Sequence, residues 1–326
     1  MKSLRFTYAE FGVPADVLRL EKVTIDRGPA ADEVLLELIA SPVHPSDMGM
    51  ICGKYGRLPQ LPAVGGREGI GRIIDTGSNC KDLLGKIARY PCGAWQSLAL
   101  TGADGLYFVP DSIDVYQAAM AFINPLTAWM ILHAIRDLKA GDWVMQNASN
   151  SAVGTALIQI ANAMGVRTIN LVRSGDVRRQ KLMSRGATLV FDDETFDPKS
   201  LAAHTGGKLP ILGLNSVGGN SAMNIVRCMA EGGEVVTIGG MVSDKVRFPT
   251  REMIFSGVLL RGFWLDKWTQ SQSHEKMQSM YDIIFDLIGS GTISIPIGGI
   301  VSLSDGPAAL LAALGGEKEG KILLVP

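Results

Sequence analysis

A tyrosine between two glycines is a candidate for handling a proton. It stands in 53-GKYG-56, just before a proline-containing loop that ends at a double glycine. A phenol can donate a proton, or relay one from water, without being ionised at rest. The flanking glycines let the backbone bring the Tyr55 hydroxyl close to a substrate. Taken alone, the same segment also fits a plain surface turn.

A second candidate site is 146-QNASNSAVG-154, where a strand pattern runs directly into a helix pattern. The free N–H groups and the positive dipole end of a helix N-terminus suit a pyrophosphate. Glycines usually line such a turn, but only Gly154 remains here, with Ser151 and Ala152 at two other glycine positions. A capped helix after a buried strand is the alternative interpretation.

The end of the next strand carries a basic residue. Arg173 and Ser174 follow that strand about 19 residues past Gly154, with Arg178 and Arg179 close behind. An acidic residue there holds the ribose hydroxyls of NAD, whereas an uncharged or basic one accommodates the 2′-phosphate of NADP. The planar guanidinium of Arg can donate two hydrogen bonds to a phosphate. The position of these basic residues therefore favours a role in binding NADP(H). The alternative interpretation is a solvated start of the next helix.

The elements that must position these residues fall into two patterns. Short strands separated by Gly, Pro and Asp fill residues 1 to about 118, and strands then alternate with helices. The expected strands are 33–41, 70–77, 86–91 and 105–110, then 142–148, 166–173, 187–193, 210–216 and 233–239, and finally 257–265, 293–303 and 321–326. The second pattern is typical of a parallel sheet covered on both faces.

We therefore expect an α/β protein with two domains. A β-rich domain spans 1–118, a nucleotide-binding domain spans 119–290 and includes a helix near 272–289, and residues 291–326 return to the first domain. A chain of 326 residues is long for one core, which agrees with this division.

Composition excludes several classes of protein. The net charge of −1 provides no field to attract nucleic acid or an anionic membrane, and no apolar run reaches spanning length. The start lacks the apolar core of a signal peptide. The four cysteines, Cys52, Cys80, Cys92 and Cys228, have no C-x-x-C spacing and are expected to be free thiols. We expect a soluble cytoplasmic protein.

Several segments together resemble the medium-chain dehydrogenase/reductase superfamily, and within it the NADPH-dependent 2-enoyl thioester reductases of the mitochondrial type. They are 53-GKYGRLPQLPAVGG-66, 123-INPLTAW-129, 146-QNASNSAVG-154, 168-TINLVR-173, 239-GGM-241 and 261-RGFWLDKW-268. The resemblance implies a GroES-like β-rich catalytic domain and a Rossmann-type, doubly wound parallel-sheet domain. It covers nearly the whole chain, and it places the protein in a zinc-free, quinone oxidoreductase-like branch.

The resemblance also implies roles for particular residues. Tyr55 matches the catalytic tyrosine, and Phe263 and Trp264 are expected to shape the substrate pocket with it. The residues expected to bind NADPH are Asn124, Thr127, Asn150, Ser151, Ala152, Val153, Gly154, Arg173, Ser174, Gly239, Gly240, Met241, Phe263, Trp264, Leu265 and Lys321. The family often has Arg-x-Arg where this chain has Arg173, Ser174 and Gly175, and it usually has Asn where this chain has His44.

Zinc alcohol dehydrogenases of the same superfamily need Cys, His and a carboxylate around the metal. The position of their histidine reads 66-GRE-68 here, and Arg67 is a cation with no lone pair to offer. Their first cysteine position is occupied by His44, which has no second ligand in register. We therefore expect no metal site.

Three functions follow from this pattern. The first is NADPH-dependent reduction of the C2=C3 bond of trans-2-enoyl thioesters carried by CoA or acyl carrier protein, whose phosphates could meet Lys54, Arg57 or Arg67. The second is a zinc-independent reductase of quinones or other enones, which needs no special proton donor. The third is a non-catalytic NADPH-binding protein. The family likeness suggests a homodimer joined along the apolar strand 257–265.

Overall fold

The protein is described by a computed structural model that covers residues 1–91, 93–173, 176–243, 245, 249–315 and 320–326. The chain divides into two compact units. The catalytic unit, as we name it, comprises Met1–Ile123 and Ser273–Pro326, and the nucleotide unit comprises Asn124–Gln272. Cys92 and Ser174 lie outside the described residues.

Among the described residues, the strands are β1 (Lys2–Tyr8), β2 (Arg19–Thr24), β3 (Glu33–Pro42), β4 (Ala63–Val64), β5 (Ile70–Thr76), β6 (Ile87–Arg89), β7 (Leu98–Gly102), β8 (Phe108–Val109), β9 (Trp143–Gln146), β10 (Arg167–Val172), β11 (Leu189–Asp192), β12 (Leu212–Asn215), β13 (Glu234–Thr237), β14 (Leu259–Gly262), β15 (Ile297–Ser302) and β16 (Lys321–Val325). The helices are α1 (Pro14–Val17), α2 (Pro45–Ile51), α3 (Val115–Ala119), α4 (Asn124–Ala134), α5 (Ala152–Ala163), α6 (Asp176–Ser184), α7 (Leu201–Thr205), α8 (Gly219–Cys228), α9 (Thr250–Phe255), α10 (Leu265–Thr269), α11 (His274–Gly289) and α12 (Gly306–Leu314).

The nucleotide unit is built on a parallel sheet in the order β11-β10-β9-β12-β13-β14. Counted from β9, this is the order 3-2-1-4-5-6 of dinucleotide-binding folds. All four residues of β9 are buried, as are those of β12, because helices cover both faces of such a sheet. The expected parallel sheet is confirmed. Its strand order reverses between β9 and β12, which is where such sheets bind their ligands.

The catalytic unit contains two mainly antiparallel sheets in the part of the chain that the structure describes. One has the order β2-β1-β4, and the other runs β15-β16-β3-β5-β6-β8, with β7 paired to β3. Trp95 is fully buried in the core of this unit. A Cβ atom at Gly65 or Gly66 would approach the Trp95 ring to 2.3 or 2.4 Å, so both positions require glycine. The expected return of the chain end is also observed, because β16 pairs with β3.

The boundaries differ from those expected from the sequence. Helix α11 belongs to the catalytic unit, so the chain returns at Ser273 rather than at residue 291, and the first segment ends at Ile123 rather than 118. Aromatic packing explains the difference. The Tyr281 and Phe285 rings contact Phe122 with centroids 4.8 and 5.7 Å apart. The apolar face of α11 identifies a buried helix, but it does not identify the sheet against which the helix packs.

Two further features of the fold bear on function. No helix within the described ranges is long and apolar enough to cross a bilayer. Cys52, Cys80 and Cys228 are free thiols, as expected, and Cys80 and Cys228 are buried. Burial raises the pKa of Cys228 to about 12, which makes this thiol a poor nucleophile.

Candidate functional site

The turn after β9 presents the N-terminus of α5. Ser151 caps this helix, because its Oγ accepts a hydrogen bond from the Gly154 N–H at 3.1 Å. The first turn of α5 carries no acidic residue, so its positive dipole end is not neutralised. A Cβ atom at Gly154 would lie 2.7 Å from the Ser149 carbonyl oxygen, and only glycine fits there. This geometry fits the pyrophosphate of a dinucleotide.

A buried amide network joins the two strands at which the sheet order reverses. Asn147, directly after β9, donates from Nδ2 to Asn215 Oδ1 and to Ser221 Oγ, both at 2.9 Å. Its Oδ1 accepts the backbone N–H of Ser216 at 2.7 Å. Asn147 and Asn215 are each 1% exposed. The network holds the two strand ends in one geometry beneath the candidate pyrophosphate site.

This amide network was not predicted from the sequence. An asparagine at the carboxyl end of each of two neighbouring buried strands is the pattern that could have shown it, because buried amides need hydrogen-bond partners. Buried side-chain hydrogen bonds also fix the start of the turn between β9 and α5. Gln146 Nε2 donates to the Gly154 carbonyl at 2.9 Å and to Asn170 Oδ1 at 2.8 Å.

The nucleotide unit contains most of the residues expected to bind the cofactor. Arg173 follows β10 and is exposed, and the segment 239–241 follows β13. Phe263 follows β14, and its N–H donates to the Thr237 carbonyl at 3.0 Å. These residues and the 150–154 turn all follow the carboxyl ends of parallel strands, which meet at one edge of the sheet. Asn124 and Thr127 are buried in the first turn of α4.

Tyr55 lies in the loop between α2 and β4 of the catalytic unit and is partly buried. Its hydroxyl oxygen accepts a hydrogen bond from Arg67 Nη1 at 2.9 Å, and the guanidinium lies 4.7 Å from the centroid of its ring. Gly53 has a φ of 70° and lets the chain turn at the end of α2, whereas Gly56 is outside the left-handed region. Of the two flanking glycines, Gly53 therefore has a backbone conformation that favours glycine, and Gly56 does not.

Asp47 ties the start of α2 to the segment that carries Arg67. One carboxylate oxygen accepts the His44 N–H at 2.7 Å, and the other accepts the Arg67 N–H at 3.0 Å. Asp47 is 2% exposed, and this burial raises the pKa of its carboxyl, opposed by the nearby cations and by the hydrogen bond from His44. These contacts fix the backbone on both sides of the Tyr55 loop.

His44 lies at the centre of a buried charged network, which we call the His44 network and which comprises His44, Glu68 and Lys321. His44 Nε2 is 2.6 Å from a Glu68 carboxylate oxygen, and His44 Nδ1 is 2.9 Å from Lys321 Nζ. Glu68 also accepts the N–H groups of Phe122 and Ile123, at 2.7 and 2.9 Å. An ammonium can only donate, so Nδ1 is the acceptor and Nε2–H donates to Glu68. The His44 network was not predicted from the sequence.

Lys321 was expected to bind NADPH, and it lies on β16 of the catalytic unit, whereas the other described residues expected to bind NADPH belong to the nucleotide unit. It is 8% exposed, and its Nζ also donates to the Val43 carbonyl at 3.0 Å. Burial lowers the pKa of Lys321 to about 8, although Glu68 and Asp47 favour its charged form. The role of Lys321 toward the cofactor stays a prediction.

Comparison with known proteins agrees with this architecture. Residues 152–283 match the family model for zinc-binding dehydrogenases. The human mitochondrial enoyl-[acyl-carrier-protein] reductase is 38% identical over 315 residues, which are 94% of this chain and 84% of the human protein. The chain belongs to the mitochondrial-type enoyl thioester reductase family of the medium-chain dehydrogenase/reductase superfamily.

Two solved structures are similar to this reductase family member over the whole of its chain. The complex of the Candida tropicalis enzyme Etr1p with NADP and crotonyl-CoA superposes with a TM-score of 0.88 at 26% identity, and each chain is fully covered. A Bacillus thuringiensis protein classed as an NADPH:quinone reductase superposes with a TM-score of 0.91 at 27% identity, covering 100% of this chain and 99% of that one.

The name of the matching family model refers to zinc, but Arg67 and His44 occupy two of the positions that the zinc enzymes of this superfamily use for metal ligands. Arg67 is a fixed cation that donates to Ser46 and Tyr55, and both ring nitrogens of His44 are already hydrogen-bonded. In the ranges that the structure describes, no group of three or more His, Cys, Asp or Glu side chains is placed to hold a metal ion. These contacts do not fit a zinc site at His44.

Proposed function

We propose that this protein uses NADPH to reduce the C2=C3 double bond of trans-2-enoyl thioesters. The observation that carries the proposal is the hydroxyl of Tyr55, held by Arg67 at 2.9 Å in the segment that resembles the family's catalytic loop. Similarity to the rat and human enoyl reductases over 94% of this chain supports the same assignment.

The nucleotide unit fits NADPH through three features. The capped N-terminus of α5 suits the pyrophosphate, and the Gly154 contact with Ser149 keeps the turn compact. The exposed guanidinium of Arg173 suits the 2′-phosphate. The NADP found in the Candida tropicalis complex supports this assignment.

The reaction needs a hydride at the β-carbon and a proton at the α-carbon. NADPH, when bound, supplies the hydride. Electron density then passes through the thioester carbonyl and forms an enolate, which hydrogen-bond donors must stabilise. The phenol of Tyr55 gives its proton to the α-carbon, either directly or through one water, and regains a proton from solvent. Orientation of the two reacting carbons provides much of the remaining rate enhancement.

The thioester carrier is CoA or acyl carrier protein, and both present phosphate to the enzyme. Lys54 and Arg57 flank the Tyr55 position and are exposed, so their charges suit such a phosphate. The complex of Etr1p with crotonyl-CoA supports a CoA thioester as a substrate. The names of the human and rat relatives support the carrier protein. We propose that the catalytic unit accepts either carrier.

Reduction of quinones or other enones is the second candidate function. The observation that favours it is the similarity to the Bacillus thuringiensis protein classed as an NADPH:quinone reductase, which is no weaker than the similarity to Etr1p. Such a reaction needs hydride delivery but no special proton donor. The held hydroxyl of Tyr55 favours the enoyl thioester as substrate.

We further propose that two copies associate along β14, the edge strand of the nucleotide-unit sheet. Leu259 on β14 is 58% exposed, and Ile254 and Phe255 on the preceding helix α9 are 66% and 72% exposed. Exposed apolar side chains beside a strand edge are typical of a surface that a second copy covers.

A cytoplasmic location also remains part of the proposal, and fractionation of the source cells would test it.

A substrate screen tests the proposed function. The purified protein is mixed with NADPH or NADH and then with crotonyl-CoA, longer enoyl-CoAs or a benzoquinone, and oxidation of the nucleotide is followed. We expect oxidation of NADPH in preference to NADH, with enoyl-CoA as the preferred acceptor. Preferential reduction of the quinone would support the second candidate, and NADPH binding without any turnover would support a non-catalytic role.

A further inference from the structure

Arg67 occupies an unusual place for a cation, because its side chain is directed at the proposed proton donor. Its Nη1 donates to two oxygens at 2.9 Å, the hydroxyl of Tyr55 and the hydroxyl of Ser46. Its guanidinium carbon lies 4.7 Å from the centroid of the Tyr55 ring. Arg67 thus touches both the ring face and the oxygen of one phenol.

The chemistry of the two groups determines the direction of this hydrogen bond. A guanidinium has donors but no acceptor, so the Tyr55 oxygen must accept, and the phenol proton is not used in the contact. The contact with Arg67 therefore does not consume the proton that the proposed reaction needs. In that reaction the proton goes to the α-carbon of the substrate, or to a water that relays it.

The surrounding structure holds Arg67 rigidly. Its backbone N–H donates to the buried Asp47 carboxylate at 3.0 Å. The next residue, Glu68, is fully buried and accepts hydrogen bonds from His44 and from two backbone N–H groups. Because its backbone is fixed in this way, the Arg67 side chain can hold the Tyr55 hydroxyl within a narrow range of positions.

We infer that Arg67 is a positioning residue, which fixes the Tyr55 hydroxyl and stabilises the charge that develops on its oxygen. This inference rests on the proposed function. As the proton leaves, the phenol O–H bond breaks, and the electron pair of the enolate forms the new C–H bond at the α-carbon. The phenolate that remains is stabilised by the guanidinium through a charge-assisted hydrogen bond until solvent returns the proton.

A set of variants separates this role from a structural one. Arg67→Met removes the charge and the donors at similar length, Arg67→Lys keeps the charge without the planar fork, and Tyr55→Phe removes the oxygen. Arg67→Met and Tyr55→Phe are also combined. Arg72→Met is the matched control, because Arg72 is an exposed arginine of the same unit whose guanidinium donates to the Gly85 carbonyl.

The values of kcat and KM for crotonyl-CoA are measured with saturating NADPH. We expect Arg67→Met to lower kcat about 10-fold to 100-fold with little change in KM, in line with the loss of one charge-assisted contact. Arg67→Lys should recover part of the loss, and Arg72→Met should match the wild type. In the Tyr55→Phe background, Arg67→Met should change kcat less than about twofold, because the two residues act as one unit.

A spectroscopic measurement tests the contact without relying on turnover. In protein labelled with ¹³C at the tyrosine ring Cζ, the signal that Tyr55→Phe removes belongs to Tyr55. We expect Arg67→Met to move this signal and Arg72→Met to leave it in place. Circular dichroism of each variant verifies that it is folded.

The outcomes are distinguishable. Lack of crotonyl-CoA turnover by the wild type would overturn the proposed function, and this inference with it. Normal wild-type turnover together with an undiminished Arg67→Met variant would overturn the inference alone. The same holds if Arg67→Met lowers kcat equally in the wild-type and Tyr55→Phe backgrounds, or if it leaves the Tyr55 signal unmoved.

Discussion

Lys321 Nζ lies 2.9 Å from His44 Nδ1, although 277 residues separate the two in the chain. The contact joins the last strand, β16, to the residue that precedes α2, and Glu68 completes the buried network on the other ring nitrogen. One ammonium and one carboxylate are thus linked through the imidazole ring of His44. The pH dependence of stability should report this arrangement.

The first prediction concerns alkaline stability. Burial lowers the pKa of Lys321 from its ordinary value of 10.5 to about 8. Between these values the unfolded chain binds more protons than the folded chain, so the free energy of unfolding rises with pH in this window. Relative to Lys321→Met, the wild type should gain up to about 3 kcal/mol between pH 8 and pH 10.5.

Urea unfolding of both proteins at several pH values across this window measures the gain. Lys81→Met, at an exposed lysine of the same unit, serves as the control and should parallel the wild type. A constant difference between the wild type and Lys321→Met would show that Lys321 keeps its ordinary pKa in the folded protein.

The second prediction concerns the choice of nucleotide. Arg173→Ala should raise the Kd for NADPH about 10-fold to 100-fold, because it removes charge-assisted hydrogen bonds to the 2′-phosphate. The Kd for NADH should stay the same, since NADH lacks that phosphate. Titrations of nucleotide fluorescence measure both constants. Arg227→Ala, at an exposed arginine of α8, is the matched control. An equal loss of affinity for both nucleotides would refute the assignment of Arg173.

The third prediction concerns the amide network beneath the turn. Asn147→Leu leaves the buried Ser216 N–H and Ser221 hydroxyl without their present partner. We expect the free energy of unfolding to fall by about 2–4 kcal/mol and the affinity for NADPH to fall with it. Asn220→Leu, at an exposed position on α8, should be close to neutral. Wild-type stability of Asn147→Leu in urea would contradict this account of the network.

The fourth prediction concerns assembly. Phe255→Asp places a charge among the exposed apolar side chains of α9 and β14, so it should convert a dimer to monomers while leaving the fold intact. Light scattering coupled to size-exclusion chromatography measures the mass. Val13→Asp, at a valine of the catalytic unit that is 61% exposed, should remain dimeric. A monomeric wild type, or a Phe255→Asp variant that is still dimeric, would exclude β14 as the interface.

Much of the fold follows from sequence patterns, because local signals determine it. Every expected strand is present, and the sheet order of the nucleotide unit agrees with the strand–helix alternation. The compact units divide at Ser273 rather than at the expected residue 291, since α11 packs its aromatic side chains in the catalytic unit. Hydrophobic periodicity shows that a helix has a buried face, but it does not show which sheet or helix that face packs against.

The candidate site was predictable in part. The α5 turn and the Tyr55 loop are visible as motifs because glycine, serine and tyrosine stand at informative spacings. The contact between Arg67 and Tyr55 spans 12 positions of the chain, and that between Lys321 and His44 spans 277. No local pattern encodes such pairs. The sequence predicted that Arg67 cannot serve as a zinc ligand. It did not predict the hydrogen bond from Arg67 to the Tyr55 hydroxyl.

The most direct test of the central claim is the rate of NADPH oxidation with crotonyl-CoA by the wild type and by Tyr55→Phe. The account predicts turnover by the wild type and a loss in kcat of about 100-fold or more in Tyr55→Phe, as expected for a missing general acid, with the Kd for NADPH unchanged. Undiminished reduction of crotonyl-CoA by Tyr55→Phe would contradict it.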